Sequence, residues 1–180
     1  MGYNPADGRL QTVVDNTGAA AQTFIYGYQP DSYNLLEAVT SPVHTVTNVY
    51  EPERNILDTK TNASTVGTTG TLSAYDYTVN SIGQRTNVAR SGAAISTANS
   101  IGWTYNNRGE LVEEDFGAND SDDARDRVYA YDGIGNREKS DQGTLSIPTA
   151  SNYVANLLNE YTTVEAVSPN YDDDEKHKNA

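Results

Sequence analysis

The sequence predicts an all-β chain of repeated antiparallel hairpins, and three observations carry that expectation. Tyrosine recurs as a strand anchor at Tyr3, Tyr28, Tyr50, Tyr77, Tyr105, Tyr131 and Tyr153, at intervals of 22 to 28 residues, the scale of one supersecondary unit. After each anchor come Gly, Asn, Asp or Pro and then a second strand-like run. The composition is 13 Tyr against 2 Phe and 1 Trp, with 36% hydrophobic residues and a mean hydropathy of -0.66. Such a chain lacks aliphatic filler for a thick core. It suits thin sheets in which tyrosine buries its ring and keeps its hydroxyl wet.

Along the chain, the first units are Tyr3-Asn4-Pro5-Ala6-Asp7-Gly8-Arg9-Leu10, Tyr26-Gly27-Tyr28 leading to Asn34-Leu35, and Tyr50-Glu51-Pro52-Glu53-Arg54-Asn55-Ile56. Proline in two of these turns presets φ where a strand interior would not tolerate it. Next, Tyr75-Asp76-Tyr77 leads through Asn80-Ser81-Ile82-Gly83 into Gln84-Arg85, and Trp103-Thr104-Tyr105 through Asn106-Asn107-Arg108-Gly109 into Glu110-Leu111. The clearest unit is Val128-Tyr129-Ala130-Tyr131-Asp132-Gly133-Ile134-Gly135-Asn136-Arg137, whose alternating tyrosines share one strand face. There Asp132 can accept backbone donors, Gly133 or Gly135 can take the positive φ of a bulged hairpin loop, and Asn136-Arg137 starts the return. The repeat grammar therefore rests on Tyr77, Gly83, Tyr105, Gly109, Tyr131, Asp132, Gly135, Asn136 and Arg137. The stretches Asn62 to Gly70 and Ser91 to Ser100, rich in Ala, Ser, Thr, Asn and Gly, read as outer connections, and no internal domain boundary stands out. Residues 1–164 form the repeat region. Residues 165–180, with Asp172-Asp173-Asp174-Glu175, lose the pattern and are expected to be a disordered acidic tail.

The unit Tyr129 to Arg137 resembles the YD repeat of Rhs, teneurin and insecticidal toxin-complex proteins, and Tyr153 to Val164 resembles a recurrent Rhs stretch. Together with the degenerate units, the resemblance spans roughly residues 3 to 164. It implies a spiral sheet of hairpins, which in large family members forms a hollow shell around a carboxy-terminal toxin or effector. The Asp-Pro-x-Gly core motif that precedes such cargo is missing, and no cargo domain follows Val164. About seven hairpins, with strands ~4.8 Å apart, cannot enclose a protein-sized chamber. The expected architecture is an open, curved array, a partial spiral. The resemblance also implies a bacterial cell-surface or exported location. The amino terminus itself has no basic region and apolar stretch of a signal peptide.

Charge and motifs narrow the chemistry. With 12 Lys+Arg against 25 Asp+Glu, the net charge of -13 repels nucleic-acid phosphates and anionic membranes, and no apolar run is long enough to insert in a bilayer. Without cysteine there is no disulfide or thiolate metal site. His44 and His177 lack a nucleophile elbow beside them, and Asp115-Phe116-Gly117 lacks the other kinase motifs. Gly133-x-Gly135 meets Glu138 where a dinucleotide loop needs a third glycine. The acidic run Glu113-Glu114-Asp115, Asp120, Asp122, Asp123 and Asp126 fails the EF-hand pattern at its sixth and twelfth positions and reads as a hydrated loop. No catalytic, cofactor or metal site is expected.

The function expected is therefore structural and non-enzymatic: a segment of a β-shell or fibre, partnered by adjoining repeats or by self-association, that displays or encloses a protein cargo. The alternative is a carbohydrate or cell-surface binding module using exposed rings, with Trp103, Tyr105, Tyr129 and Tyr131 as candidates. Trp103 is the leading platform residue. Internal cross-strand packing of the tyrosines is the competing expectation.

Overall fold

In the computed structural model, the described residues are 1–18, 20–30, 34–67, 70–95, 99–117, 124–165 and 167–169. Among them every regular element is a strand, and none is a helix. The chain divides into two compact units, Met1–Ser100 and Ile101–Ala180, a boundary that composition alone did not mark.

The first unit holds β1 (Gly2–Tyr3), β2 (Leu10–Asp15), β3 (Gln22–Tyr28), β4 (Leu36–Thr40), β5 (His44–Tyr50), β6 (Leu57–Ser64), β7 (Gly70–Val79) and β8 (Arg85–Ser91). They form a meander in which each strand lies beside the next, antiparallel, without crossover or closure. The longest ladder joins β5 and β6, from His44 opposite Ser64 to Tyr50 opposite Leu57. Here the expected outer connection from Asn62 to Gly70 needs correction. Asn62, Ala63 and Ser64 belong to β6 and Gly70 to β7, because Asn62 sits in both ladders, opposite Val46 and Ser73. Its Nδ2 donates to Ser73 Oγ at 2.9 Å, so a polar side chain is satisfied inside the sheet.

Strand β9 (Asn99–Tyr105) enters the second unit, followed by β10 (Leu111–Phe116), β11 (Arg127–Tyr131) and β12 (Arg137–Gln142), again in meander order. A separate hairpin, β13 (Tyr153–Ala155) and β14 (Tyr161–Val164), follows. Asn152 ties it to β12: its Nδ2 donates to Ser140 O at 2.8 Å, and its Oδ1 accepts Ser140 N at 2.9 Å. Order continues past Val164, where the tail was expected to begin. Glu165 N donates to Asn152 O, and Val164 and Val167 exchange two backbone bonds of 2.8 Å. The acidic run Asp172 to Glu175 and His177 lie outside the described residues.

Within each unit the described strand contacts are between chain neighbours, which makes each sheet a single layer. A single layer has no inside. Among the described residues the only buried apolar side chains are Val88, Ile101 and Val128. The seven anchor tyrosines, apart from exposed Tyr3, are half-buried. Two of their hydroxyls are bonded within the protein: Tyr50 Oη donates to Leu36 O at 2.9 Å and Tyr153 Oη to Glu165 Oε1 at 2.8 Å.

Candidate functional site

Among the described residues, backbone bonds close the chain after the tyrosine-side strands from Asn4, Gln29, Glu51, Asn80, Asn106, Asp132 and Asn156. Beside each, the strand register slips by one residue, the mark of a β-bulge. The last four share one set of bonds. In Asn80–Gln84, Asn106–Glu110, Asp132–Asn136 and Asn156–Glu160, the first residue's N–H donates to the carbonyl four residues on, and its own carbonyl accepts the N–H three residues on. The first side chain then latches the loop. Its Oδ1 accepts the amides two and four residues on: Ile82 and Gln84, Arg108 and Glu110, Ile134 and Asn136, Leu158 and Glu160, at 2.9 to 3.1 Å. A last bond closes side chain to side chain, as from Asn136 Nδ2 to Asp132 Oδ2 at 2.8 Å.

The fourth position of each loop takes the left-handed region: Gly83 (φ 86°), Gly109 (φ 81°), Gly135 (φ 97°) and Asn159 (φ 67°). Gly135, not Gly133, is thus the conformational glycine of its loop. Asn159 needs no glycine because asparagine tolerates this region better than other side chains. The proline loops differ by length. Asn4 to Arg9 and Glu51 to Ile56 close one residue later, with Gly8 (φ 71°) and Asn55 (φ 55°) in the left-handed position.

Side chains also join one turn to the next. In the first unit, Arg54 Nη1 donates to the carbonyls of Asn80 and Ser81 at 2.8 and 3.3 Å, while Ile56 Cδ1 lies 3.1 Å from where a Cβ on Gly83 would sit. In the second, Arg108 Nη2 donates to Asp132 O, Glu110 Oε1 lies 3.2 Å from the Cβ position of Gly135, and Asn136 Nδ2 donates to Asn159 Oδ1. Hydrogen bonds from Asn136 and from the backbone hold the Asp132 carboxyl below its ordinary 3.8 despite partial desolvation. Glu110 is lowered from 4.5, first by its bond from Asn106 and then by Arg108.

The four proposed ligand residues, Trp103, Tyr105, Tyr129 and Tyr131, are all half-buried. The indole N–H donates to Glu114 Oε1 at 3.1 Å, and register sets Trp103, Glu114, Arg127 and Gln142 in one row across β9 to β12. Alternation puts Tyr105 on the Trp103 face of β9, and Tyr129 and Tyr131 on the Arg127 face of β11. Of the four, only Tyr129 lines a described cleft of about 550 Å³ in the second unit, with Arg127, Arg137, Ser140, Asn152, Tyr153 and Glu165 among its walls. Burial pushes the Tyr129 phenol above its ordinary 10.0. Sequence reading assigned Arg137 to the turn, but missed its main contact. The guanidinium lies between the Tyr129 and Tyr153 rings, 4.6 and 5.6 Å from their centroids. The analogous Arg85–Tyr77 stack is 4.2 Å.

Among the described residues, no three acidic or imidazole side chains gather to hold a metal, and no helix is long and apolar enough to cross a membrane. Asp120, Asp122 and Asp123 lie outside the described residues. Phe116 of the Asp-Phe-Gly sequence is the last residue of β10, its N–H bonded to Asp126 Oδ1 at 2.8 Å. No family model and no curated protein matches the chain.

Proposed function

We propose that this chain is a non-enzymatic structural segment whose repeating element is the latched hairpin, working as part of the β-wall of a shell or fibre of the Rhs type. The recurrence of one bond set in four turns, at starts separated by 24 to 26 residues from Asn80 onward, carries the reading. Latches of one pattern, joined by side-chain bonds from Arg108 to the loop at 132–136 and from Asn136 to that at 156–160, make each hairpin a template for its neighbour, the logic of a repeat protein whose stability is a sum of units and interfaces. Single-layered sheets with few buried side chains suit a wall that other surfaces cover. The Rhs-like assignment brings with it an exported or cell-surface setting and a protein cargo or further repeats as partners.

Duplication of one unit tests this. A chain with residues 106–131 repeated once in register should keep β-type circular dichroism and melt at or above the parent temperature, since an added unit brings its own latch and interface. Loss of cooperative folding on insertion would refute the reading.

The cleft supports a second reading, carbohydrate binding. Its walls mix tyrosine rings with planar guanidinium, amide and carboxylate groups that suit a polyhydroxylated ligand. Glycan screening with Tyr129→Ala as control decides it: binding that the substitution abolishes supports it, and binding to no glycan removes it.

A further inference from the structure

Resting on the structural-segment reading, we propose that one face of the first unit's sheet is a docking surface for the same face of a second copy, the two sheets stacking as a sandwich. Alternation sorts the residues of β2–β8 into two faces of opposite character. One face carries tyrosine and charge: Lys60 stands opposite Asn48 and Tyr75, and Arg90 opposite Tyr75. Val88, the unit's one buried apolar side chain among the described residues, lies on that face opposite Tyr77. The other face is built from threonine, alanine and valine. One registered row runs from Thr12 through Ile25, Thr40 and Thr45 to Ala63, and the next is centred on Thr47 opposite Thr61. In a chain that is 21% charged, Asp76, opposite Thr59 and Ala89, is the one charged residue among the described residues of that face.

This uncharged face is the wetter one. Val14, Ile25 and Val49 on it are 45%, 50% and 46% exposed, and Thr40 and Thr47 are exposed with them. Apolar side chains gathered on a face without charge mark an interface rather than ordinary surface. Seven strands ~4.8 Å apart and about six residues long give a flat area of roughly 34 by 20 Å, near 700 Å². A plane covered by side chains has more accessible surface than flat area, so each copy offers about the 800 Å² that a standard interface takes from one partner. Threonines that face each other across strands, Thr40 with Thr45 and Thr47 with Thr61, are placed to share hydroxyl bonds once water leaves, which turns their methyls outward. Charge selects the occupant. Each copy carries a net charge of -13, so two copies meet with least repulsion through the face that holds a single carboxylate. A neutral face of methyls is its own complement, as a contact using the same patch on both partners requires. Salt should strengthen the contact by screening the charge elsewhere.

Light scattering on the full chain across a concentration series tests this. The parent should pass from monomer to dimer, at lower concentration as salt is raised. Thr47→Glu places a carboxylate at the centre of each face and should weaken the dimer ~10-fold or more, because like charges are then buried together. Gln11→Glu adds the same charge to the opposite face of β2 and should leave the dimer within about twofold of the parent, since an exposed rim charge acts only through screened repulsion. The chain's lack of cysteine gives a second readout that does not depend on the glutamate variant folding. Under mild oxidation Thr47→Cys should form its disulfide dimer several-fold faster than Gln11→Cys. A chain that stays monomeric at high salt, a dimer indifferent to Thr47→Glu, or equal disulfide rates at the two positions overturns the face-to-face contact while leaving the structural reading intact. Failure of the unit-duplication experiment would instead strike the structural reading itself.

Discussion

Replacing Asn80 by alanine removes the latch of one turn while leaving its glycine and strands in place. The Asn80 side chain makes three bonds in its loop: Oδ1 accepts Ile82 N at 3.1 Å and Gln84 N at 3.0 Å, and Nδ2 donates to Gln84 Oε1 at 2.9 Å. Bonds this close to solvent contribute about 0.5 kcal/mol each in net terms, at the lower end for protein hydrogen bonds. Losing an Asx side chain that satisfies backbone donors costs about 1–2 kcal/mol in the related helix caps. The two estimates overlap near 1–2 kcal/mol. At roughly 4–8 °C per kcal/mol for a unit of this size, the melting temperature followed by circular dichroism should fall by about 4–16 °C. Asn80→Asp keeps the two accepted bonds, as Asp132 does in its own loop, and should lose less than half as much. An Asn80→Ala chain that melts with the parent, or an aspartate variant as damaged as the alanine one, would refute the latch as the source of turn stability.

Three further outcomes follow from the geometry. Gly135→Val forces a β-branched residue to φ 97° with its Cβ 3.2 Å from Glu110 Oε1, so the second unit should lose more than about 2 kcal/mol in denaturant unfolding. Arg137→Ala removes the cation between Tyr129 and Tyr153 and should loosen β13–β14 by about 1–2 kcal/mol, seen as faster exchange at Asn152 and Glu165 amides; Arg137→Lys should recover only part. Acid should act turn by turn. Because the carboxyls of Asp132 and Glu110 are lowered by folding, their contribution is complete above their unfolded values near 3.8 and 4.5 and is lost as pH falls through the folded ones. NMR titration should therefore show the loops at 106–110 and 132–136 loosening below pH ~4, while the amide-only loop at 80–84 holds.

The hairpins were legible because tyrosine anchors and left-handed glycines leave a local mark: Gly83, Gly109 and Gly135 all take positive φ where the grammar placed them. The Asn156–Glu160 turn was harder to see as the same loop, since Asn159 replaces the glycine. Its first residue, the latch, was the better signal, shared as Asn or Asp by all four loops. Asn62 looked like loop chemistry but lies between two polar-tolerant strands, where Ser73 satisfies it. For Trp103, strand alternation gives a face but not its neighbours: Glu114, opposite in register, accepts the indole N–H. The Arg137 stack joins residues 16 apart in sequence and could be read only once β13 was placed beside β12.

Native-state hydrogen exchange on the isolated chain most directly tests the claim that one latched turn recurs. The amides that donate to the latch, those of Ile82, Gln84, Arg108, Glu110, Ile134, Asn136, Leu158 and Glu160, should be protected in all four loops, and those of Ser81, Asn107, Gly133 and Leu157 should exchange rapidly. Equal, fast exchange across both sets would contradict it.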